Sequence, residues 1–427
     1  MVLRKKVGSL AFSGITLMFA ALSLHAKDLS EGTVIDASNL ESVLQDTYQG
    51  HKITDVLTER LAWQIKEHNL KITLGDAPDF DVDENYWKLT RAHSGEASLN
   101  PQTRQLENWS GAGMPFPMSE IDENDPNAGD KLVWNFFTYQ PDGDVTRFPF
   151  TYLLIDGDSG LDRIQEWFWI RYKYSGRFSP NNEPNINENG ETILNKTMIN
   201  ARYPRDIRGL GTLSTAYYAD TVDDSFAYLP AVRRVRRTSG GAWMDPIGGT
   251  DQLQDDINVW NTHPNWYPKI EVLEKRWILA PISESWTSYP DKDSDAEKYP
   301  FVDLDTAPHW NPEQFKWEPR EVYVIEATAP DEHPYSKKIM YYSTDLTWIY
   351  QGETYDKKGE FWKYLYWVPR NYTAEDGTKV VTVASAFVQD YQRMHATLFV
   401  SNTAWEFNPS GVRQSDASLP ALQSGGR

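Results

Sequence analysis

Bulky aromatic and aliphatic residues occupy both alternating sets of positions in several strand-like segments of this chain. Residues 167–172 (WFWIRY) and 361–368 (FWKYLYWV) are the densest examples. Since successive side chains of a β-strand point to opposite faces, this pattern predicts a sheet with neither face left to bare water. One face can rest on the body of the protein, and the other then needs a cover, a partner or a ligand.

Strand-like segments fill most of the chain beyond residue 130. Turn signals such as Pro141-Asp142-Gly143 and Asp376-Gly377 separate them. Short links between successive strands favour an antiparallel sheet, and no repeat of fixed period indicates a propeller or a solenoid. The predicted strands are Lys131–Tyr139, Phe148–Ile155, Arg163–Tyr174, Ser225–Arg237, Ile270–Pro281, Glu318–Ala329, Lys337–Tyr342, Leu346–Tyr355, Phe361–Val368, Val380–Asp390 and Met394–Val400.

Helical periodicity is persuasive only between Ser38 and Leu70. Leu57, Leu61 and Ile65 follow the i, i+4 spacing of one apolar helix face. A broad sheet rich in aromatic residues tends to curl, and helices can plug its concave side. The pattern therefore predicts an α+β fold, with one large curved antiparallel sheet and N-terminal helices packed against it.

The two ends of the chain and its polar stretches predict one domain behind an export signal. A basic start, an apolar run and a small residue at Ala26 are typical of a signal peptide over residues 1–26. Residues 27–407 form the predicted single domain, with polar insertions near 179–200 and 289–319. Residues 408–427 have the composition of a disordered tail.

The charge balance excludes some classes of partner. With 61 acidic and 42 basic residues and a net charge of −19, the surface would repel nucleic acid. General adhesion to anionic lipid is disfavoured for the same reason, although local peripheral contact with a membrane stays open. The chain has no cysteine, so an exported form has no disulfides, which fits a bacterial periplasm better than an animal extracellular space.

Several motifs in a fixed order resemble the family described as domain of unknown function 1329. The matching pieces run from about Gly32 to about Phe407, and their order and spacing carry the resemblance. They are Gly113-Met114-Pro115-Phe116-Pro117, Asn127-Ala128-Gly129-Asp130-Lys131 with Trp134-Asn135-Phe136, the segment Tyr228–Arg237, Tyr341-Tyr342 with Asp345 and Thr347-Trp348, and Tyr355–Lys363.

The resemblance implies an unclosed β-barrel like that of the periplasmic LolA and LolB lipoprotein carriers, wrapped around helices. It further implies the periplasm of a Gram-negative cell and a role in carrying lipid or lipoprotein acyl chains. An RND-type inner-membrane permease and a β-propeller protein are the partners it suggests. The family provides no agreed catalytic residues, and this chain lacks the cysteine that anchors the outer-membrane carrier.

The candidate site residues come from the aromatic strands, one arginine-rich segment and two predicted lid regions. Tryptophan and tyrosine present a large apolar body with a polar tip, and paired arginines can hold a phosphate or carboxylate bidentately. The expected ligand-binding residues are Trp134, Phe136, Trp167, Trp169, Trp277, Trp348, Trp362, Trp367, Arg234 and Arg236. The expected lid or rim residues are Met114, Phe116, Leu57 and Leu61.

Each of these sets has a structural alternative. If residues 228–237 form one strand, Tyr228, Arg234 and Arg236 share a face, yet the arginines can equally form ion pairs with nearby carboxylates. Any single tryptophan can simply fill the core. Asp156-Gly157-Asp158-Ser159-Gly160 has the composition of a turn rather than of a protease or calcium site. No histidine spacing indicates a metal site, and no cofactor is expected.

Two functions remain open at the level of the sequence. The favoured one is a non-enzymatic periplasmic carrier or chaperone that shelters a lipid or acyl chain in an aromatic-lined cavity. The alternative is a carbohydrate-active enzyme or sugar-binding protein that uses tryptophan stacking and a pair of carboxylates.

Overall fold

The structure of the chain is a computed structural model. The residues that it describes are 26–238, 241–283, 299, 301–401 and 405–425. The predicted signal peptide lies outside these residues except for Ala26. Of the predicted insertion at 289–319, residues 289–298 and 300 lie outside them as well.

One antiparallel sheet of fourteen strands forms the centre of the described structure. Its strands are β1 Val145–Asp156, β2 Gly160–Lys173, β3 Ile193–Tyr203, β4 Gly211–Tyr217, β5 Asp224–Leu229, β6 Arg234–Arg237, β7 Lys269–Ile282, β8 Lys316–Thr328, β9 Tyr335–Ser343, β10 Ile349–Asp356, β11 Phe361–Thr373, β12 Lys379–Asp390, β13 His395–Ser401 and β14 Glu406–Phe407.

The order of the strands across the sheet is β6-β5-β4-β3-β2-β1-β13-β12-β11-β10-β9-β8-β7, with β14 also paired to β1. Two antiparallel meanders, β1–β6 and β7–β13, are therefore joined in the middle by the pairing of β1 with β13. The outermost strands β6 and β7 do not pair with each other, so the sheet does not close. This confirms the predicted unclosed antiparallel sheet.

Strands β6 and β7 are neighbours in sequence although they form opposite edges of the sheet. The chain between them has to cross the width of the sheet, and residues 241–268, named here the covering segment, do so over one face. Three short 3₁₀ turns give it local structure: Ala242–Met244, Gln254–Asp256 and Pro264–Trp266.

Within the described ranges, six short helices surround the sheet: α1 Leu40–Val43, α2 Ile53–Val56, α3 Glu59–His68, α4 Glu84–Ala92, α5 Ala128–Thr138 and α6 Leu419–Gly425. Two further 3₁₀ turns of the described residues are Met118–Glu120 and Gln414–Asp416. The same part of the chain forms four two-stranded ladders: Val34–Ile35 with Ile72–Thr73, Thr47–Tyr48 with His51–Lys52, Ser98–Leu99 with Leu106–Glu107, and Val302–Asp303 with Asn311–Pro312. The described helices include none that is long and apolar enough to cross a membrane.

Both faces of the central strands are buried, as the aromatic pattern predicts. Tyr364 and Tyr366 of β11 point to one face, where they join Leu61 and Ile65 of α3 in a core cluster. The Tyr366 hydroxyl donates to Gln64 Oε1 at 2.7 Å. Trp367 of the same strand points to the other face and packs in the cluster of the covering segment and α5. Alternate side chains thus serve two separate cores.

The predicted strand Lys131–Tyr139 is wrong, because these residues belong to helix α5. Leu132, Val133, Trp134 and Phe136 are all buried. A helix buried on every side loses the one-sided apolar stripe that identifies a helix in a sequence, so its apolar run is read as a strand. The sequence pattern also does not predict helix α4.

The predicted single strand Ser225–Arg237 is wrong as well. It is a hairpin, β5–β6, whose turn includes Arg233 with a positive φ of 51°. Tyr228 pairs with Val235 and shares a core cluster with it. Since Arg234 and Arg236 flank Val235 in the strand, they point to the opposite face from Tyr228.

Two further segments contain more structure than the sequence predicts. The polar stretch 179–200 includes the start of β3, and β4 follows it as an unpredicted strand. The tail beyond residue 407, predicted to be disordered, forms α6, in which Leu422 is fully buried among Met198, Leu213 and Tyr228 of the sheet.

A buried charge network fastens the covering segment to the second meander. Lys338 of β9 lies 2.8 Å from Asp255 Oδ2 and 3.0 Å from Asp256 Oδ1. Hydroxyl groups complete the network, with Tyr267 donating to Asp255 at 2.6 Å and Tyr335 donating to Asp256 at 2.8 Å. Burial alone would raise the pKa of Asp255, but Lys338 and His333 outweigh that effect and hold the pKa at about 2.

A second anchor joins the same segment to the centre of the sheet. Asp251 Oδ2 lies 2.6 Å from His395 Nδ1 and accepts a hydrogen bond from Thr397 at 2.8 Å, both on β13. Lys363 of β11 donates to the Asp251 carbonyl oxygen. The hydrogen bond to Asp251 raises the pKa of His395 although burial opposes it. The covering segment is thereby held from β9 to β13.

Replacing Lys338 by Met should lower the free energy of unfolding by about 3–5 kcal/mol, because two buried carboxylates lose their cation. The matched control is Lys337→Met on the same strand, where the pair with Glu326 is partly exposed and is worth about 0–1 kcal/mol. Urea unfolding of both variants measures the difference. Equal losses in the two variants would show that the buried network does not anchor the fold.

Replacing His395 by Asn should lower the free energy of unfolding more at acid pH than at alkaline pH. Because the folded-state pKa of His395 is raised, its contribution to stability is complete below the unfolded-state value of about 6.5 and is lost as the pH rises through the folded-state value. The loss of unfolding free energy should be larger at about pH 5.5 than at about pH 9, by about 1 kcal/mol.

Urea unfolding at both pH values measures this change, with His93→Asn as the control, since His93 pairs with the exposed Glu96. A loss in His395→Asn that stays constant with pH would contradict the pairing.

Candidate ligand-binding groove

Three adjoining cavities lie between the sheet and the covering segment. Their volumes are about 150, about 60 and about 40 Å³, and they are named here the outer, middle and inner cavities. Asn258 lines all three, Trp169 and Arg171 line the outer and middle ones, and Trp367 lines the middle and inner ones. Together they form one groove across the strands.

The middle cavity has an aromatic floor. Phe148 of β1 pairs with Trp169 of β2, which pairs with Ile199 of β3. The rings of Phe148 and Trp169 stack with centroids 5.9 Å apart, and Trp405 stacks on Phe148 at 3.8 Å. Phe150, Tyr152, Phe399 and Trp367 continue the surface across β13 towards β11. Such a surface suits an apolar chain or ring system.

The outer cavity has a polar row beside this aromatic surface. Ser225, Ser214, Thr197 and Arg171 are successive partners across β5, β4, β3 and β2, and all of them line the cavity. The row ends on Thr146 of β1, which is paired with Arg171. Because side chains at this register point to the same face as the neighbouring aromatic row, the groove changes from polar to aromatic along its length.

The roof of the groove comes from the covering segment and the end of α5. Trp243, Ile257 and Trp266 line the outer cavity with Phe137 of α5. Val259 has a positive φ of 69°, an unfavourable backbone state for a β-branched residue. A Cβ added at Gly352 would lie 2.5 Å from Val259 Cγ1, and Lys338 donates to the Val259 carbonyl oxygen. The roof residue Val259 therefore packs against Gly352, where a larger residue would collide with it.

The outer cavity reaches the surface at the connection between β4 and β5. Val222 of this connection lines the cavity and is 57% exposed. Asp223 next to it accepts from the backbone N–H of Tyr217 and lies 3.2 Å from His263 Nε2. A ligand that enters here meets the polar row before the aromatic surface.

Four of the predicted ligand-binding residues line the groove: Phe136, Trp169, Trp348 and Trp367. Trp167 is buried beneath the covering segment, against Gly248, and Trp134 is buried in a separate cluster with Trp109. Trp362 lies away from the three cavities, and its indole N–H donates to Asp390 at 2.9 Å. Trp277 lies on the edge strand β7, is 40% exposed and contacts the His51 ring, with the ring centroids 4.2 Å apart.

The predicted arginines and lid residues lie apart from the groove lining. Arg234 and Arg236 are exposed on the edge strand β6. Leu57 and Leu61 pack on the opposite face of the sheet, and Met114 is fully buried. Phe116 lines a separate surface cavity of about 370 Å³. A ligand-binding or lid role for these residues stays a prediction.

Several lining residues are not among those that the sequence predicts. Phe148, Phe150 and Tyr152 alternate along a correctly predicted strand, so the signal was present but the face could not be chosen. Arg171 and Lys173 follow Trp167 and Trp169 at the same parity, and no local signal marks them as buried. The roof residues have no strand or helix pattern at all.

The carboxylates of the groove lining are few among the described residues, and they already have partners. Asp142 and Asp223 are the carboxylates that line the three cavities among the described residues, and Asp142 is held by ion pairs with Arg171 and Lys173. A glycosidase needs a carboxylate free to transfer a proton opposite a second one. In the part of the chain that the structure describes, no cluster of side chains has the make-up of a metal site.

Comparison with solved structures finds similarity to a domain assigned to outer-membrane lipoprotein sorting from Vibrio parahaemolyticus, at 15% identity and a TM-score of 0.46, over 70% of this chain and 100% of that one. A DUF1329 protein from Desulfovibrio piger has 17% identity and a TM-score of 0.45, over 70% and 100%. A LolA-superfamily protein from Nitrosomonas europaea has 11% identity and a TM-score of 0.40, over 68% and 96%.

Comparison with curated proteins finds no significant match. These comparisons give no support to the permease and the β-propeller protein that the resemblance implies as partners. The model of one family, described as a protein of unknown function (DUF1329), matches residues 34–417. The resemblance read from the sequence motifs is thereby confirmed, and the chain belongs to the DUF1329 family.

Proposed function

We propose that this protein is a non-enzymatic carrier or chaperone that binds a lipid or an acyl chain in the groove. The observation that carries the proposal is the aromatic surface of Phe148, Trp169, Phe399 and Trp367, which lies under a separate roof and beside open volume. Apolar area removed from water there stabilises a bound ligand by about 25 cal/mol per Å².

The size of the cavities supports reversible binding. Pockets that enclose a small molecule usually measure about 300–1,000 Å³, and the outer cavity measures about 150 Å³. A whole acyl chain therefore needs the roof to move outward. A carrier has to release its cargo, and a roof that must open for entry also opens for release.

The place of action that we propose is the periplasm of a Gram-negative cell. The support is the order of a basic start, an apolar run and Ala26 at the N-terminus, which is typical of an export signal. Cargo of this kind would come from or go to the cell envelope. Fractionation of cells that express the whole chain, with N-terminal sequencing of the mature protein, tests this placement.

Replacing Ser214 by Trp should lower the affinity for an apolar probe at least tenfold, because the new ring fills the outer cavity. Tenfold corresponds to the loss of roughly 55 Å² of apolar contact at about 25 cal/mol per Å². Titration with the neutral fluorophore N-phenyl-1-naphthylamine measures the affinity. Lipids extracted from the purified protein and analysed by mass spectrometry should fall in parallel.

The matched control is Thr215→Trp, which places the same ring on the opposite face of β4. Its affinity for the fluorophore should equal that of the unchanged protein. Binding that is unaffected by Ser214→Trp, or reduced equally by both variants, would place the apolar site elsewhere. A protein that binds neither the fluorophore nor extractable lipid would refute the proposed function.

A further inference from the structure

Two cations on the groove wall share one carboxylate. Lys173 is 5% exposed, and its Nζ lies 2.7 Å from Asp142 Oδ1. The Arg171 guanidinium pairs with the same carboxylate through Nη2 and donates to Gln140 Oε1 at 3.2 Å. Both side chains line the outer cavity.

The neighbouring carboxylate is already occupied. Asp144 is fully buried and accepts from the backbone N–H groups of Phe178 and Ser179 and from Asn182 Nδ2. Arg177, a third cation, has its Nε 3.8 Å from Asp144. Three cations therefore face two carboxylates on this part of the groove wall, while Asp223, the other carboxylate of the groove lining, lies at the mouth beside His263.

Excess charge in a buried place is unfavourable unless a counter-charge arrives. Burial lowers the pKa of Arg171 to about 10, and burial together with the adjacent Arg171 lowers the pKa of Lys173 well below its ordinary value. Arg171 Nε is buried and has no hydrogen-bond partner among the described residues. Lys173 Nζ, in contrast, also donates to the carbonyl oxygens of Gln140 and Asp142 at 3.0 and 3.1 Å. The donor left over on this part of the groove wall therefore belongs to Arg171.

These cations stand between the mouth of the groove and its aromatic floor. The mouth is marked by Val222 in the outer cavity, while Arg171 also lines the middle cavity with Phe148 and Phe399. Thr197 and Ser214 extend the polar row from Arg171 along the outer cavity. A molecule lying in the groove would have one end at the cations and the other on the aromatic rings.

We propose that Arg171, with the positive charge of Lys173 beside it, binds the anionic end of an amphiphilic ligand, a carboxylate or a phosphate, whose apolar part lies on the aromatic floor. This inference rests on the proposed function and deepens it, because it names the class of cargo and its direction in the groove. It also assigns the head group to the groove wall rather than to Arg234 and Arg236, which are exposed at the edge of the sheet.

Displacement of N-phenyl-1-naphthylamine from the full-length mature chain tests the proposal. The competitors are dodecanoate, dodecyl phosphate and dodecanol, which share one chain and differ in the end group. At least one of the two anions should displace the fluorophore at a concentration about tenfold or more below that of dodecanol, as expected for a charge-assisted hydrogen bond. The stronger anion identifies the head-group chemistry.

Substitutions then locate the anionic end. Arg171→Gln should lower the affinity for the preferred anion about tenfold and leave the affinity for dodecanol unchanged. Asp142→Asn removes the carboxylate that competes for Arg171 and Lys173. It should therefore raise the affinity for the anion, whereas Arg171→Gln lowers it. Arg234→Gln makes the same charge change at the exposed edge of the sheet. It should alter the affinity for neither competitor.

The outcomes separate the inference from the function on which it rests. Equal displacement by the anions and by dodecanol in the unchanged protein overturns the anionic site while the apolar carrier stands, and this comparison needs no variant to fold. Loss of anion binding in Arg234→Gln but not in Arg171→Gln overturns the assignment to the groove wall. A chain that binds neither the fluorophore nor any competitor overturns the proposed function and the inference together.

Discussion

The ion pairs of Lys338 with Asp255 and Asp256 are the interaction on which the arrangement of the groove depends. A long connection between two sheet edges has little regular structure of its own, and its backbone needs partners wherever it is buried. Here a lysine on β9 neutralises two carboxylates of the connection and also binds the carbonyl oxygens of Asp255 and Val259. Without that cation the roof of the groove would carry two uncompensated charges into an apolar core.

The sheet itself imposes the second constraint. Because alternate residues of β11 point into two different cores, neither core can change without disturbing the other. The aromatic residues of the groove floor are therefore fixed by the packing of α3 behind them as well as by the roof in front. The floor is therefore packed on both sides. The roof, which has little regular structure, and the mouth near the exposed Val222 are the less tightly packed parts of the site.

Much of the sheet could be predicted from the sequence, whereas the site could not. Strands such as β12 and β13 show bulky residues bounded by turns, which is a local signal. Helix α5 has no such signal, since tertiary burial on all sides replaces its apolar stripe with an apolar run. Lys173 and Arg171 have their partners in Gln140 and Asp142, on the connection between α5 and β1. No periodicity in the sequence shows that this connection packs against β2. The choice of face for Trp169 depends on register, which alternation leaves open.

The division of the sheet into two meanders has a consequence for the integrity of the molecule. The covering segment joins the six strands of β1–β6 to the seven of β7–β13, but the ladder between β1 and β13 holds the same two halves together without it. A single cut in the backbone of this segment would leave each half with its own ladders and a shared seam. The two polypeptides could then reassemble as a split protein, with a severed roof above an intact floor.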